Sequence, residues 1–138
     1  MQIADTSAWT WSRRAGEELR TRFDAAVDAG LIATCAAVEL ELLYSARGSQ
    51  EFANLRIALE SLPQLAIGER EWKRALDVYQ RLADQGGLHH RAVKHPDLLV
   101  AAAAELACIT VLHYDEDFDR IGAITGQPTC WIAPRGSL

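Results

Sequence analysis

The amino-acid sequence predicts a three-layer α/β/α fold around a short central parallel sheet of four to five strands. Short apolar runs, "MQIAD", "LIAT", "LAIG", "CITVLHY" and "TCWIA", alternate along the chain with longer stretches of helical periodicity. Such alternation belongs to parallel sheets with helices on both faces. One helical stretch, "DLLVAAAAELA" at residues 97–107, is apolar almost all round, so it has to be buried on most sides. The 138 residues suit one domain, residues 1–138, and 49% hydrophobic with 24% charged residues are ordinary values for a folded globular chain.

"MQIAD" is the first strand, ending at Asp5, and the small polar pair Thr6 and Ser7 follows it. From about Ser12 to Ala29 the pattern predicts one helix, with Leu19, Phe23, Ala26 and Val27 on one face and Arg13, Arg14, Glu17, Arg20 and Arg22 largely outside it. Gly30 stands where a helix-ending glycine is expected. "LIAT" is the second strand, and Thr34 is placed to cap a helix running through "CAAVELELLYSAR" to Gly48. Ser49 is placed to cap the next helix, "QEFANLRIALESL", which Pro63 ends. "LAIG" is a short strand, "EREWKRALDVYQRLADQ" an amphipathic helix closed by Gly86 and Gly87, and "LHHRAVKH" a polar loop. Pro96 suits the first turn of the buried helix. "CITVLHY" is then a strand, "EDFDRIGAIT" a short helix, residues 126–128 a turn and "TCWIA" the last strand.

A net charge of −5 and a pI near 5.3 argue against broad electrostatic attraction to nucleic acid or to an anionic membrane. They leave room for a nuclease whose carboxylates hold a divalent metal, because the metal supplies the positive charge that a phosphate needs. Apolar runs such as "LLVAAAA" fall far short of the roughly 20 residues a membrane-spanning helix requires, and "MQIADTSAWTW" lacks the plan of a secretory signal. The cytoplasm is the expected location. Cys35, Cys108 and Cys130 are odd in number, widely separated and without CxxC spacing, so free and mostly buried thiols are expected rather than disulfides or a zinc site.

Acids stand at the ends of two strands: Asp5 after the first, and Asp115 with Asp117 after "ITVLHY". If those strands are neighbours, their carboxyl ends aim the side chains into one crevice. Asp97 opens the buried helix and lies near the positive end of its dipole. A further candidate lies in "AAVELELLYSAR", where Glu39 and Glu41 are two positions apart and point about 200° from each other at about 100° per residue. Only one can face the crevice, and periodicity leaves both open. Taken singly, each acid has an ordinary explanation as a turn former, a capping charge or a solvated side chain. Together they would repel one another unless a cation neutralised them, and hard oxygen ligands select Mg²⁺ or Mn²⁺.

Four segments, "IADTSAW", "ELLYSAR", "HPDLLVAAAAE" and "VLHYDEDFDRIGAITGQ", occur in the order and at the approximate spacing of PIN-domain proteins. Over essentially its whole length the chain resembles the VapC toxins of bacterial VapBC toxin–antitoxin pairs. The resemblance implies a Rossmann-like α/β/α PIN domain in which Asp5, Glu41, Asp97, Asp115 and Asp117 are the catalytic and metal-ligating acids. It favours Glu41 over Glu39 because Glu41 precedes an apolar pair and a small-residue turn. Thr6 and Ser7 match the small hydroxyl residues beside the first acid, and Phe118 is expected to pack beneath the last loop. One position departs from the pattern: many members have Thr two residues before the first Asp of the last motif, where this chain has His113.

The function implied is that of a Mg²⁺-dependent endoribonuclease, with Mn²⁺ able to substitute, acting on tRNA or ribosomal RNA and leaving a 5′-phosphate. A VapB-type antitoxin and a second copy of the chain, as a homodimer, are the implied partners. Arg91 and Lys94 beside Asp97, and Arg13 and Arg14, are candidate contacts to the RNA backbone, although the same residues suit a solvated surface. His89, His90 and His95 lack zinc spacing and are expected to be ordinary loop histidines. Trp9 and Trp11 could stack on bases, but packing is the expected role. The alternative class is a non-catalytic PIN-like protein or RNA-interaction module, which loss of one or two acids would favour; all five are present. An aspartate-based phosphatase would need a second Asp after the first strand, which "ADTSA" lacks.

Overall fold

Successive side chains of a strand face opposite layers, and five short strands sort the core in this way in the computed structural model, which describes residues 1–138. The strands are β1 Gln2–Ala4, β2 Ile32–Cys35, β3 Gln64–Leu65, β4 Thr110–His113 and β5 Thr129–Trp131. All neighbouring pairs are parallel, in the order β3-β2-β1-β4-β5. The helices are α1 Thr6–Arg14, α2 Glu17–Asp28, α3 Ala36–Tyr44, α4 Ser49–Glu60, α5 Glu69–Asp84, α6 His95–Ala107 and α7 Asp117–Thr125, with a 3₁₀ turn at His89–Ala92.

Ile3 is in register with both Ala33 and Val111, and these three meet Val78 and Leu82 of α5, Val100 of α6, and Phe118 and Ile121 of α7. Ala4, Ile32 and Leu112 turn to the opposite layer, against Ala8 of α1 and Phe23 of α2. Full enclosure of Phe118 contributes on the order of 2–3 kcal/mol. In α6 the run Val100–Ala104 is buried, and its small side chains let the helix sit close to α5 and β4. The expected three layers and parallel sheet are therefore observed. No helix is long and apolar enough to cross a membrane.

Several boundaries differ from expectation. The single helix expected from about Ser12 is two helices, because Asp5 Oδ2 accepts from the Ser7 backbone N–H and starts α1 directly after β1. The break falls at Gly16, whose φ of 120° a side-chain-bearing residue rarely adopts. Arg13 and Arg14 thus end a helix instead of beginning one. Thr34 lies within β2 and does not cap α3, whose N-cap is Cys35 and which ends at Tyr44. Gly48, not Ser49, is the N-cap of α4. The third strand is shorter than "LAIG" and starts earlier. Of the cysteines only Cys35 is buried; Cys108 caps the end of α6 and Cys130 lies on the edge strand β5, and both are exposed.

From β1 the chain builds β2 and β3 on one side, then crosses to build β4 and β5 on the other. Strand order reverses between β1 and β4, and the crevice beyond their carboxyl ends is where ligands bind in such sheets.

Candidate metal centre

Asp5 leaves the end of β1 and is buried, with Oδ2 accepting from the Ser7 backbone N–H at 2.9 Å and from Ser7 Oγ at 2.6 Å. Ser7 Oγ in turn accepts from the Tyr114 backbone N–H at 2.9 Å. One hydroxyl therefore ties the residue after β4 to the carboxylate after β1. Burial pushes the Asp5 pKa up, the Ser7 bonds oppose that shift, and Asp115 adds repulsion.

Asp97, Asp115 and Asp117 each place a carboxylate oxygen within 4.8 Å of the others. Asp97 is buried in the first turn of α6, and its Oδ2 has no hydrogen-bond partner. Its pKa is pushed up to about 8, first by burial and then by repulsion from Asp5, with Lys94 partly offsetting both. Asp115 Oδ1 accepts from the Asp117 backbone N–H at 3.0 Å, which folds the loop so that both side chains turn inward. Burial works against the Asp115 charge, but Lys94 and the Asp117 amide outweigh it and hold this carboxyl below its usual range. Asp117 is buried, and its Oδ1 accepts from Arg120 Nη1 at 2.7 Å while Oδ2 accepts from the Lys94 backbone N–H at 3.3 Å.

An orphaned, buried carboxylate oxygen is costly unless something binds it. An oxygen-only donor set this compact suits a small hard cation such as Mg²⁺ or Mn²⁺. The residues present therefore fit the metal that the resemblance implies.

Glu41 is not drawn into this group: it is half-buried on α3 with no hydrogen bond or ion pair to it. Glu39 is also half-buried, and its Oε1 is enclosed without a partner. Burial raises the pKa of the Cys35 thiol, and the Glu39 and Asp5 charges add to that shift. Thr6 Oγ1 is likewise enclosed and unpaired. His113 is fully enclosed between Phe118 and Trp131, at ring-centroid distances of 5.1 Å and 4.9 Å. Its Nδ1 accepts from the Asp115 backbone N–H at 3.2 Å, and burial lowers its pKa, so the ring is neutral and supports the loop as an acceptor. Phe118 is fully enclosed in the main core.

Arg91 and Arg14 are exposed, and Arg13 is paired with Asp24 at 2.9 Å. Lys94 lies in the acidic crevice, with Nζ on Asp115 Oδ2 at 2.8 Å. His90 and His95 pack edge-on against Tyr79 and do not join a metal cluster. Trp9 packs edge-on against Phe23 and Trp11 against Tyr114. Sequence reasoning missed the Lys94 and Arg120 pairs. The second had a visible signal, since Arg120 is four residues after Glu116 and three after Asp117, and it bonds both.

A family model described as the PIN domain matches residues 3–124. Ribonuclease VapC18 of Mycobacterium tuberculosis is 48% identical over 134 residues, which is 97% of this chain and 96% of that protein. Ribonuclease VapC51 of the same organism is 39% identical over 120 residues, 87% of this chain and 85% of that one. Among solved structures, DNA-bound VapBC from Salmonella typhimurium superposes with a TM-score of 0.73 at 19% identity, covering 96% of this chain and all of that one. VapBC-1 from nontypeable Haemophilus influenzae gives a TM-score of 0.72 at 16% identity, covering 95% and 97%. At these identities the two structures bear on the fold alone.

Proposed function

The chain belongs to the PIN-domain family, among its VapC members, and from that membership we propose that it is the toxin of a type II toxin–antitoxin pair, a Mg²⁺-dependent endoribonuclease. The observation that carries this reading is the buried Asp97 oxygen with no partner, gathered with Asp115 and Asp117 where strand order reverses. The ribonuclease names of the relatives support it. Asp5, Asp97, Asp115 and Asp117 hold the cation, Glu41, which stands outside the three-acid cluster, is the further carboxylate that α3 offers, and Mn²⁺ substitutes for Mg²⁺. When bound, the metal polarises the scissile phosphate and lowers the pKa of an attacking water.

The chain's own part is to keep these acids in place: Ser7 orients Asp5, the Asp117 amide orients Asp115, and Arg120 orients Asp117. No histidine or lysine is required as a base. The substrate is tRNA or ribosomal RNA, with Arg13, Arg14, Arg91 and Lys94 as its backbone contacts and residues 1–138 acting as one domain. Membership among the VapC proteins supports a VapB-type antitoxin as the inhibitor. The exposed Leu40 and Tyr44 on α3 and Ile57 on α4 supply apolar surface for a homodimer.

The test is RNA cleavage by the purified chain in Mg²⁺ and in chelator, beside Asp5→Asn. Cleavage that needs the metal and is lost in the folded Asn variant supports the reading. Undiminished cleavage in chelator, or by Asp5→Asn, defeats it.

A further inference from the structure

Lys94 touches two of the three clustered aspartates in different ways. Its backbone N–H donates to Asp117 Oδ2 at 3.3 Å, and its ammonium donates to Asp115 Oδ2 at 2.8 Å. The backbone is fixed, because Lys94 is the N-cap of α6, three residues before Asp97. The side chain is not: it is 66% exposed, against 20% for Asp115. A flexible ammonium thus reaches into the acid cluster from the solvent side and can leave without moving the helix that carries Asp97.

We propose that Lys94 is an internal counter-cation that occupies the Asp115 carboxylate in the metal-free protein and is displaced when a divalent ion binds. The inference rests on the metal-site reading above and adds to it which residue the metal must compete with. A divalent cation and an ammonium held on the same Asp115 carboxylate repel each other, so binding of the ion works against the Lys94 contact. Arg120 does not play this part, because it holds Asp117 Oδ1, the oxygen that the Lys94 amide does not touch, and is anchored by Glu116. Displacement also frees a cation at the rim of the crevice, where a substrate phosphate arrives.

The test is calorimetric titration of Mg²⁺ and Mn²⁺ into wild type, Lys94→Met and Lys94→Arg, with melting curves in chelator and in millimolar Mg²⁺. Methionine keeps the alkyl stem and removes the charge, so Lys94→Met is expected to bind metal about fivefold more tightly, the scale of an exposed ion pair. Lys94→Arg should stay near wild type. Lys94→Met should melt below wild type in chelator, and Mg²⁺ should close that gap. Equal or weaker metal binding by Lys94→Met, or a melting deficit that Mg²⁺ leaves unchanged, would overturn the role of Lys94 while leaving the metal site standing. A wild-type protein that binds no divalent ion would overturn both.

Discussion

Replacing Asp97 by Asn should make the metal-free protein more stable, and by an amount that grows with pH. The folded Asp97 keeps its proton to about pH 8, pushed up first by burial and then by Asp5, whereas an unfolded Asp loses it near pH 4. Between those values the folded state binds more protons than the unfolded one. Stability therefore falls as pH rises from about 4 to about 8 and levels off above. About four pH units at ~1.4 kcal/mol each set a ceiling near 5–6 kcal/mol. Relaxation and water entry take up part of this, leaving an expected gain of about 2–4 kcal/mol for Asp97→Asn at pH 8 and close to none at pH 4. Asn keeps the shape of the protonated acid and adds an N–H₂ donor beside Asp115 and Asp117, so no cavity confuses the comparison. The assay is urea unfolding of both proteins in chelator at several pH values. A stability difference that does not change with pH, or that shrinks as pH rises, would refute the reasoning.

Two further substitutions probe the frame. Ser7→Ala removes the hydroxyl that joins the Tyr114 amide to Asp5, and should cost ~1–3 kcal/mol in urea unfolding because the half-buried amide and the buried carboxylate both lose a partner; an unchanged midpoint would show that the bridge contributes nothing. Gly16→Ala meets nothing within 4 Å of the added carbon, yet it must adopt a φ of +120°, so its expected cost of ~1–3 kcal/mol is backbone strain alone. Thermal unfolding of that variant at the wild-type temperature would contradict this.

Much of the fold was legible because hydrophobic period and punctuation agree along most of the chain. Gly30 does end α2, and "DLLVAAAAELA" is buried, each by a local rule. The start of α1 was hidden because Asp5 performs two tasks at once: it ends β1 and caps the helix that follows, so the strand signal masks the cap. The acids at strand ends could be named from sequence, but their convergence depends on β1 pairing with β4, residues more than 100 positions apart. Enclosure could not be read locally either. Glu39 and Glu41 look alike by periodicity, and only packing shows that an oxygen of Glu39 is the one shut away unpaired. His113 reads as a departure in the sequence, whereas in the fold it is a neutral ring packed between Phe118 and Trp131 that accepts from the Asp115 amide. Lys94 read as a surface cation because nothing local links it to Asp115, twenty-one residues away.

The central claim is that the clustered aspartates form a divalent metal centre, and the most direct measurement is anomalous diffraction from crystals of the protein soaked in Mn²⁺. The account predicts an anomalous peak bounded by carboxylate oxygens of Asp97, Asp115 and Asp117, on the side facing Asp5, with Lys94 Nζ moved off Asp115. A Mn²⁺ peak elsewhere on the chain, or an Asp97 carboxyl still without a partner at millimolar Mn²⁺, would contradict it.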